Sequence, residues 1–94
     1  MPAKLSLPKL NDALGSLRGW SYDGSGAITK TFKFKDHITA MGFVTRAAMV
    51  AEVMDHHPDL RIVYSTVDVA LSTHSAGGVT RLDLELAARL DSLR

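Results

Sequence analysis

The side chains best suited to chemistry lie in one short stretch, where two adjacent histidines follow a glutamate by one helical turn. Glu52 and His56 are four residues apart, so a helix would place them on the same face. His57 and Pro58 follow directly, and a proline prevents a helix from continuing. Because histidine titrates near neutral pH, it can both accept and donate a proton there. The run therefore indicates either acid–base chemistry or an ordinary helix end.

Two further residues of the same chemical kind lie at the ends of later elements. His74 ends a long strand-like region, just before a Gly-Gly turn. Asp83 falls in the first turn of the last predicted helix, where its charge suits the helix dipole. Taken alone, Asp83 is typical of a helix-start carboxylate, and a single histidine at a helix end is typical of a cap. Because loops at element ends gather side chains around pockets, the whole set predicts a functional site.

A metal site is the main alternative for the same residues. Imidazole and carboxylate groups are ligands of zinc and iron, and the candidate ligands are His56, His57, His74, Glu52 and Asp83. The usual helical zinc pair is His-x-x-x-His, however, whereas the first position here is a glutamate. Adjacent histidines at a helix end also generally point in different directions. We therefore expect no metal site.

Composition predicts a single globular domain over residues 1–94. The chain is 46% hydrophobic and 22% charged, and its formal net charge is +1. These values are ordinary for a globular protein and do not indicate a nucleic-acid surface or a polybasic membrane patch. The absence of cysteine excludes disulfides and thiolate chemistry. Since neither a signal peptide nor a run of roughly 20 apolar residues is found, we expect a soluble, cytoplasmic protein.

Hydrophobic periodicity predicts three helices and three strand regions. The helices are expected between Ser6 and Gly19, from His37 to Met54, and after the Thr80 cap. The strand regions are expected at 20–22, 28–34 and 60–73, and the last is long enough to bend or divide. A hairpin with segregated helices predicts an α+β fold, with the helices on one face of an antiparallel sheet.

The second predicted helix is apolar on more faces than one small sheet can cover. Its apolar residues include Ile38, Met41, Phe43, Val50 and Met54. A helix of this kind must be buried on several sides. Because a domain of 94 residues offers one sheet to cover it, we expect the remaining face to meet a partner subunit.

The complete spacing of these residues resembles the pterin-4a-carbinolamine dehydratase family. That family also includes the dimerisation cofactor of a homeodomain transcription factor. Its pattern is an acidic or polar residue, then His-His-Pro, an aromatic residue, a histidine and an aspartate at set distances. Here the matching residues are Glu52, His56, His57, Pro58, Tyr64, His74 and Asp83. The similarity extends over about residues 10–90.

The resemblance implies both a fold and a reaction. The family fold has three helices on a four-stranded antiparallel sheet, and its members form homodimers or homotetramers. The family substrate is a tetrahydropterin with a hydroxyl group on ring carbon 4a. Loss of water gives a quinonoid dihydropterin during tetrahydrobiopterin recycling, and the reaction requires no metal or organic cofactor.

The resemblance also implies a role for each candidate residue. His57 and His74 are expected to transfer protons, and His56 to contact the substrate. The two carboxylates, Glu52 and Asp83, are expected to orient histidines and to raise their basicity.

Two questions stay open at this point. Trp20 is expected either to shape the pocket or to belong to the core. A non-enzymatic binding, assembly or transcription-cofactor role on the same scaffold is the alternative function. The presence of every histidine of the motif favours catalysis.

Overall fold

Three α-helices and four antiparallel strands make up the fold, in a computed structural model that describes residues 2–94. The helices are α1 (Leu7–Leu14), α2 (His37–Met54) and α3 (Arg81–Ser92). The strands are β1 (Ser21–Tyr22), β2 (Ile28–Lys33), β3 (Asp59–Val63) and β4 (Thr66–Leu71), in the spatial order β1-β2-β4-β3. A 3-10 helix, His74–Ala76, follows β4. The α+β prediction is confirmed, and so is the division of the last strand region.

The turn between β3 and β4 determines which residues meet at one end of the sheet. Tyr64 lies in this turn and has a left-handed backbone with φ 50°. The two strands run antiparallel, and Asp59 at the start of β3 pairs with Ala70 near the end of β4. The His-His-Pro run precedes β3 and His74 follows β4, so both lie at the same end of the sheet.

The core lies between one face of the sheet and the helices. Along β4 every second residue is buried, as is typical of a strand with one covered face. The buried residues of the two central strands are Ile28, Phe32, Val67, Val69 and Leu71. The ring of Phe43 in α2 packs on Phe32, with 4.7 Å between the ring centroids. The opposite face of the sheet carries polar residues such as Thr31 and Asp68, whose side chains hydrogen-bond at 2.7 Å.

Helix α1 begins directly after Ser6, as predicted, but ends well before Gly19, the predicted C-terminal boundary. The Ser6 hydroxyl oxygen accepts from the backbone N–H of Lys9, and the helix ends at Leu14. Gly15 follows, and the Ser16 hydroxyl donates to the Ala13 carbonyl at 3.0 Å. Glycine and serine are weak helix formers, and a serine hydroxyl bonded to a nearby carbonyl offers the chain an alternative to helix.

Helix α2 has the predicted bounds and is apolar on two faces. One face is buried in the core through Ala40, Phe43, Ala47 and Ala51. The other face is exposed, and its large apolar residues are Ile38 (83% exposed), Met41, Met49 and Val53 (82% exposed). Within residues 2–94, no helix is long and apolar enough to cross a membrane.

Candidate active site

The first histidine of the run packs against the start of α3. α2 ends at Met54, and Asp55 then takes a left-handed conformation with φ 51°. This change of direction turns His56 inward, where its Nε2 lies 2.5 Å from Oδ1 of Asp83. The His56 side chain is 11% exposed and that of Asp83 is fully buried. A buried histidine–carboxylate pair therefore joins the end of α2 to the start of α3.

Asp83 has both carboxylate oxygens engaged. Its Oδ2 accepts from the backbone N–H of Thr80 and from the hydroxyl of Thr73, each at 2.8 Å. Thr80 and Asp83 form a capping box, and the Thr80 hydroxyl oxygen also accepts from the Leu82 N–H at 3.2 Å. A carboxylate without access to water needs such partners. Asp83 is thus the predicted helix-start carboxylate and also holds a histidine.

The second histidine pairs with the glutamate at the end of α2. His57 Nε2 and Glu52 Oε2 form a short hydrogen bond. The two side chains are 56% and 74% exposed. The spacing predicted that Glu52 would share a helix face with His56, and this is wrong because His56 lies beyond the left-handed Asp55. Each carboxylate therefore meets a different histidine.

Both pairs suit the histidine tautomer that carries its hydrogen on Nε2. An ionised carboxylate only accepts, so Nε2 of each histidine donates to its partner. In a neutral imidazole, Nδ1 then keeps its lone pair and can accept a proton. Each pair is therefore arranged to present Nδ1 as a base.

The third histidine lies in a cavity at the same end of the sheet. His74 begins the 3-10 helix after β4, and its exposed side chain lines a cavity of about 400 Å³. The cavity is also lined by the loop between β1 and β2, by Asp59 at the start of β3, and by Ser72 and Gly78. Its volume is in the range of small-molecule binding sites.

Thr73 connects the wall of the cavity to the buried pair. Thr73 directly precedes His74 and donates to Asp83, which holds His56. On the other side, the His-His-Pro run leads into Asp59, which lines the cavity. The structure therefore brings three histidines to one end of the sheet. Each has a different setting, namely a buried pair, an exposed pair and a cavity wall.

Trp20 lies in the core, apart from the two histidine–carboxylate pairs. Its side chain is 5% exposed and meets Phe32 edge to face, with 6.1 Å between the ring centroids. The indole Nε1–H donates to the Asp91 carboxylate at 3.1 Å. Asp91 lies eight residues after Asp83 in α3, a rise of about 12 Å along a helix. A role for Trp20 in the pocket stays a prediction.

Thr73 is a further residue of the site that the spacing of the motif does not identify. Its side chain is buried, and its hydroxyl contacts both Thr80 and Asp83. A signal for it was present in the alternation of β4. Val67, Val69 and Leu71 point into the core, and Thr73 continues that period as a polar residue. A polar residue at an inward position requires a buried hydrogen-bond partner.

The metal alternative can be compared with this geometry. Among residues 2–94, no group of three or more His, Cys, Asp or Glu side chains is placed to hold a metal ion. His56 and His57 each face one carboxylate, in different surroundings. Elemental analysis of the purified protein is the direct test for a bound metal.

Comparison with known proteins adds an independent line of observation. A family model described as Pterin 4 alpha carbinolamine dehydratase matches residues 3–93. A curated relative from Bradyrhizobium sp. (strain BTAi1), which carries pterin-4-alpha-carbinolamine dehydratase in its name, is 55% identical over 94 residues. That alignment covers 99% of this chain and 95% of the relative.

Two solved structures have the same fold. One, described as a transcriptional coactivator/pterin dehydratase from Brucella melitensis, matches with a TM-score of 0.92 at 47% identity. The match covers 96% of this chain and 97% of that one. The other is described as a pterin dehydratase-like protein identified as a RuBisCO assembly factor in the alpha-carboxysome. It matches with a TM-score of 0.68 at 22% identity, over 81% of this chain and 89% of that one, and shows a shared fold.

Proposed function

Since this chain belongs to the pterin-4-alpha-carbinolamine dehydratase family and is a dehydratase (lyase), we propose that it removes water from a 4a-hydroxytetrahydropterin by histidine acid–base catalysis. The product would be a quinonoid dihydropterin, as a step in tetrahydrobiopterin recycling. The observation that carries this proposal is the placement of His56, His57 and His74 at one end of the sheet, two of them paired with carboxylates.

The reaction requires one proton to be removed and one to be supplied. A base takes the proton from ring nitrogen N5, and the electron pair of that bond forms the N5=C4a double bond. The C4a–O bond breaks, and the hydroxyl group takes a proton from an acid and leaves as water. Histidine can perform either step near neutral pH, so no redox partner is needed to balance the reaction.

The surroundings of each histidine support a division of roles. His57 is half exposed and paired with Glu52, so a substrate can reach its Nδ1. His74 lines the cavity, and its ring has no hydrogen-bond partner within residues 2–94. We assign proton transfer to these two residues and substrate contact to His56. Glu52 and Asp83 would orient their histidines and stabilise the protonated rings.

The test is a dehydration assay on the purified protein after treatment with a chelator. We expect His57→Ala and His74→Ala each to lower the rate by at least about tenfold, since a general acid or base typically contributes about 100- to 10,000-fold. His37→Gln is the matched control. His37 is also exposed, but its Nδ1–H donates to the carbonyl of Tyr64 at 2.7 Å.

Normal rates in both alanine variants would contradict histidine catalysis. A stoichiometric metal whose removal abolishes activity would replace the proposal with a metal-assisted mechanism. If dehydration by the unmodified protein did not exceed the uncatalysed rate, the proposed activity itself would be wrong.

We also propose that the protein forms a homodimer or homotetramer through the exposed face of α2. That face carries a stripe of large apolar residues, Ile38, Met41, Met49 and Val53. Large exposed apolar residues concentrated on one face of a helix are typical of an interface. We expect Met49→Glu to shift the protein toward monomer in sedimentation velocity. An unchanged oligomeric state, or a monomeric unmodified protein, would contradict this proposal.

A non-enzymatic binding role is the second candidate. The Brucella melitensis relative is described both as a coactivator and as a dehydratase, and the exposed face of α2 offers a surface for another protein. A stable stoichiometric partner whose binding survives His57→Ala and is lost with Met49→Glu would support it. We also propose the cytoplasmic location that the sequence leads us to expect. Cell fractionation tests it.

A further inference from the structure

The cavity that His74 lines holds a carboxylate with no protein partner. Asp59 is exposed at the first position of β3, and its side chain makes no hydrogen bond or ion pair within residues 2–94. Its backbone, by contrast, is held in the sheet opposite Ala70. The Asp59 backbone is therefore held in place, while both oxygens of its carboxylate are available to accept hydrogen bonds. This combination suits recognition of a ligand.

The other carboxylate of the cavity is already committed to its own loop. Asp23 accepts from the backbone N–H of Ser25 at 2.8 Å, from that of Ala27 at 3.1 Å and from the Ser25 hydroxyl at 2.9 Å. The hydrogen bond from the Ser25 backbone is the main cause of a lowered pKa at Asp23. Asp23 therefore shapes the wall of the cavity, while Asp59 is free to bind.

The charge of the cavity selects a class of ligand. Two carboxylates line it, and no lysine or arginine is among its lining residues. A phosphate or carboxylate group would be repelled, whereas a ligand that presents N–H donors would be attracted. A neutral heterocycle with adjacent N–H groups fits this requirement.

We propose that Asp59 is a specificity-determining residue that binds the pyrimidine edge of a pterin, by accepting from its 2-amino group and its N3–H. This inference rests on the dehydratase function proposed above. A carboxylate matches two adjacent N–H donors in the same side-by-side way that it matches a guanidinium group. The pterin edge at C2 and N3 presents that pair of donors.

The same contact orients the reacting atoms. In the pterin ring, C4a lies directly across the pyrimidine ring from C2, and N5 lies beyond it. A pterin anchored at C2 and N3 by Asp59 therefore directs C4a and N5 away from that carboxylate. His74 lines the same cavity, and His57 lies two residues before Asp59 in the chain. Such positioning reduces the entropy lost when the reacting groups meet.

The test exchanges one acceptor of the carboxylate for a donor. Asp59→Asn presents one acceptor and one donor, which matches lumazine, the analogue with a carbonyl instead of an amino group at C2. We expect its affinity for pterin to fall by about 10- to 100-fold, and its preference to shift toward lumazine. Fluorescence titration of both ligands near neutral pH measures this change.

Two further variants complete the experiment. Asp59→Ala is expected to lose pterin affinity without gaining lumazine affinity. Asp12→Asn, at an exposed position of α1, makes the same charge change outside the cavity and should bind both ligands normally. In the dehydration assay, Asp59→Asn should raise KM more than it lowers kcat, because Asp59 binds the substrate and takes no part in proton transfer.

The outcomes separate this inference from the proposed function. Asp59 does not recognise the pyrimidine edge if Asp59→Asn binds pterin and lumazine as the unmodified protein does. The same conclusion follows if the substitution lowers the affinity for both ligands equally, even when dehydration is normal. If the unmodified protein fails to dehydrate but Asp59→Asn still switches preference, the recognition role stands and the reaction is wrong.

Discussion

The two histidine–carboxylate pairs use the same chemical groups in opposite surroundings. His56 and Asp83 are buried between α2 and α3, whereas His57 and Glu52 lie mostly in solvent. Their hydrogen bonding differs as well. Asp83 also accepts from Thr73 and Thr80, while the Glu52 carboxylate bonds His57 alone within the described chain.

This difference separates what each pair contributes. Removing one partner of a buried pair leaves a polar or charged group without water, and that is strongly destabilising. In an exposed pair, water replaces the lost partner and salt screens the attraction. The fold around the site therefore depends on both partners of the buried pair being present. Under the proposed function, the exposed pair would exchange protons with a substrate at little cost in stability.

The largest expected effect is loss of stability in Asp83→Asn. The amide nitrogen cannot accept a hydrogen bond, so the capping box or the contact with His56 is lost. We expect the free energy of unfolding to fall by about 2 to 4 kcal/mol, the sum of a lost cap and an unsatisfied buried group. Urea unfolding measures it, with Glu52→Gln as the matched control, which should change stability by about 0.5 kcal/mol or less. Equal losses in the two variants would remove the distinction between the pairs.

A smaller effect is expected when only the support of the buried pair is removed. Thr73→Val keeps the shape of the side chain but deletes the hydroxyl that donates to Asp83 and contacts Thr80. We expect a loss of about 1.5 kcal/mol, at the lower end of the range for a hydrogen bond to a carboxylate. Urea unfolding again provides the measurement. A neutral result would mean that the Asp83 carboxylate does not depend on Thr73.

Asp23 allows the effect of burial on stability to be separated from the effect of the number of hydrogen bonds. It is exposed like Glu52, yet it accepts several hydrogen bonds as Asp83 does, and its pKa is lowered. A carboxylate with a lowered pKa in the folded state adds stability above its unfolded pKa of about 3.9, and this contribution is lost as the pH falls through the folded value.

The corresponding experiment compares urea midpoints at about pH 5 and about pH 3. The unmodified protein should lose more stability over this range than Asp23→Asn, which has no such titration. The effect should be smaller than that of Thr73→Val because water already reaches this loop. A variant that loses as much stability as the unmodified protein would show that the Asp23 hydrogen bonds contribute nothing measurable.

The smallest effect is expected in the exposed pair itself. A double-mutant cycle with Glu52→Gln and His57→Ala should give an interaction energy of about 0.5 kcal/mol or less at low salt. Raising the ionic strength to about 1 M should reduce it further, because the Debye length falls to about 3 Å. An energy as large as the Asp83→Asn loss would show that the two pairs are equivalent despite their exposure.

Much of the fold could be predicted because its signals are local. Asp36 and Pro58 flank α2, and the predicted bounds of that helix are correct. The position of the β3–β4 turn was harder to predict. Tyr64 adopts a left-handed conformation there, where glycine or asparagine is the usual signal. The early end of α1 was missed because the Leu10 and Leu14 spacing continues to Leu17, while Gly15 and Ser16 interrupt the helix.

The candidate site was predictable as a set of residues but not as a set of pairs. The spacing identified the three histidines and their two carboxylates. It placed Glu52 and His56 on one helix face, which is wrong, and it contained no signal for the contact between His56 and Asp83. It also did not connect Asp59 with His74.

The sequence by itself determined the elements, the capping box of Thr80 and Asp83, and the residue types of the site. These depend on interactions within a few residues of each other. The tertiary structure alone decided which carboxylate meets which histidine, and which residues share a cavity. The physical reason is that those contacts follow from one left-handed residue, Asp55, and from the register that places Asp59 opposite Ala70. The turn at Asp55 also decides the local Glu52–His57 contact, and the two features together bring His56 to Asp83 and place Asp59 and His74 in one cavity.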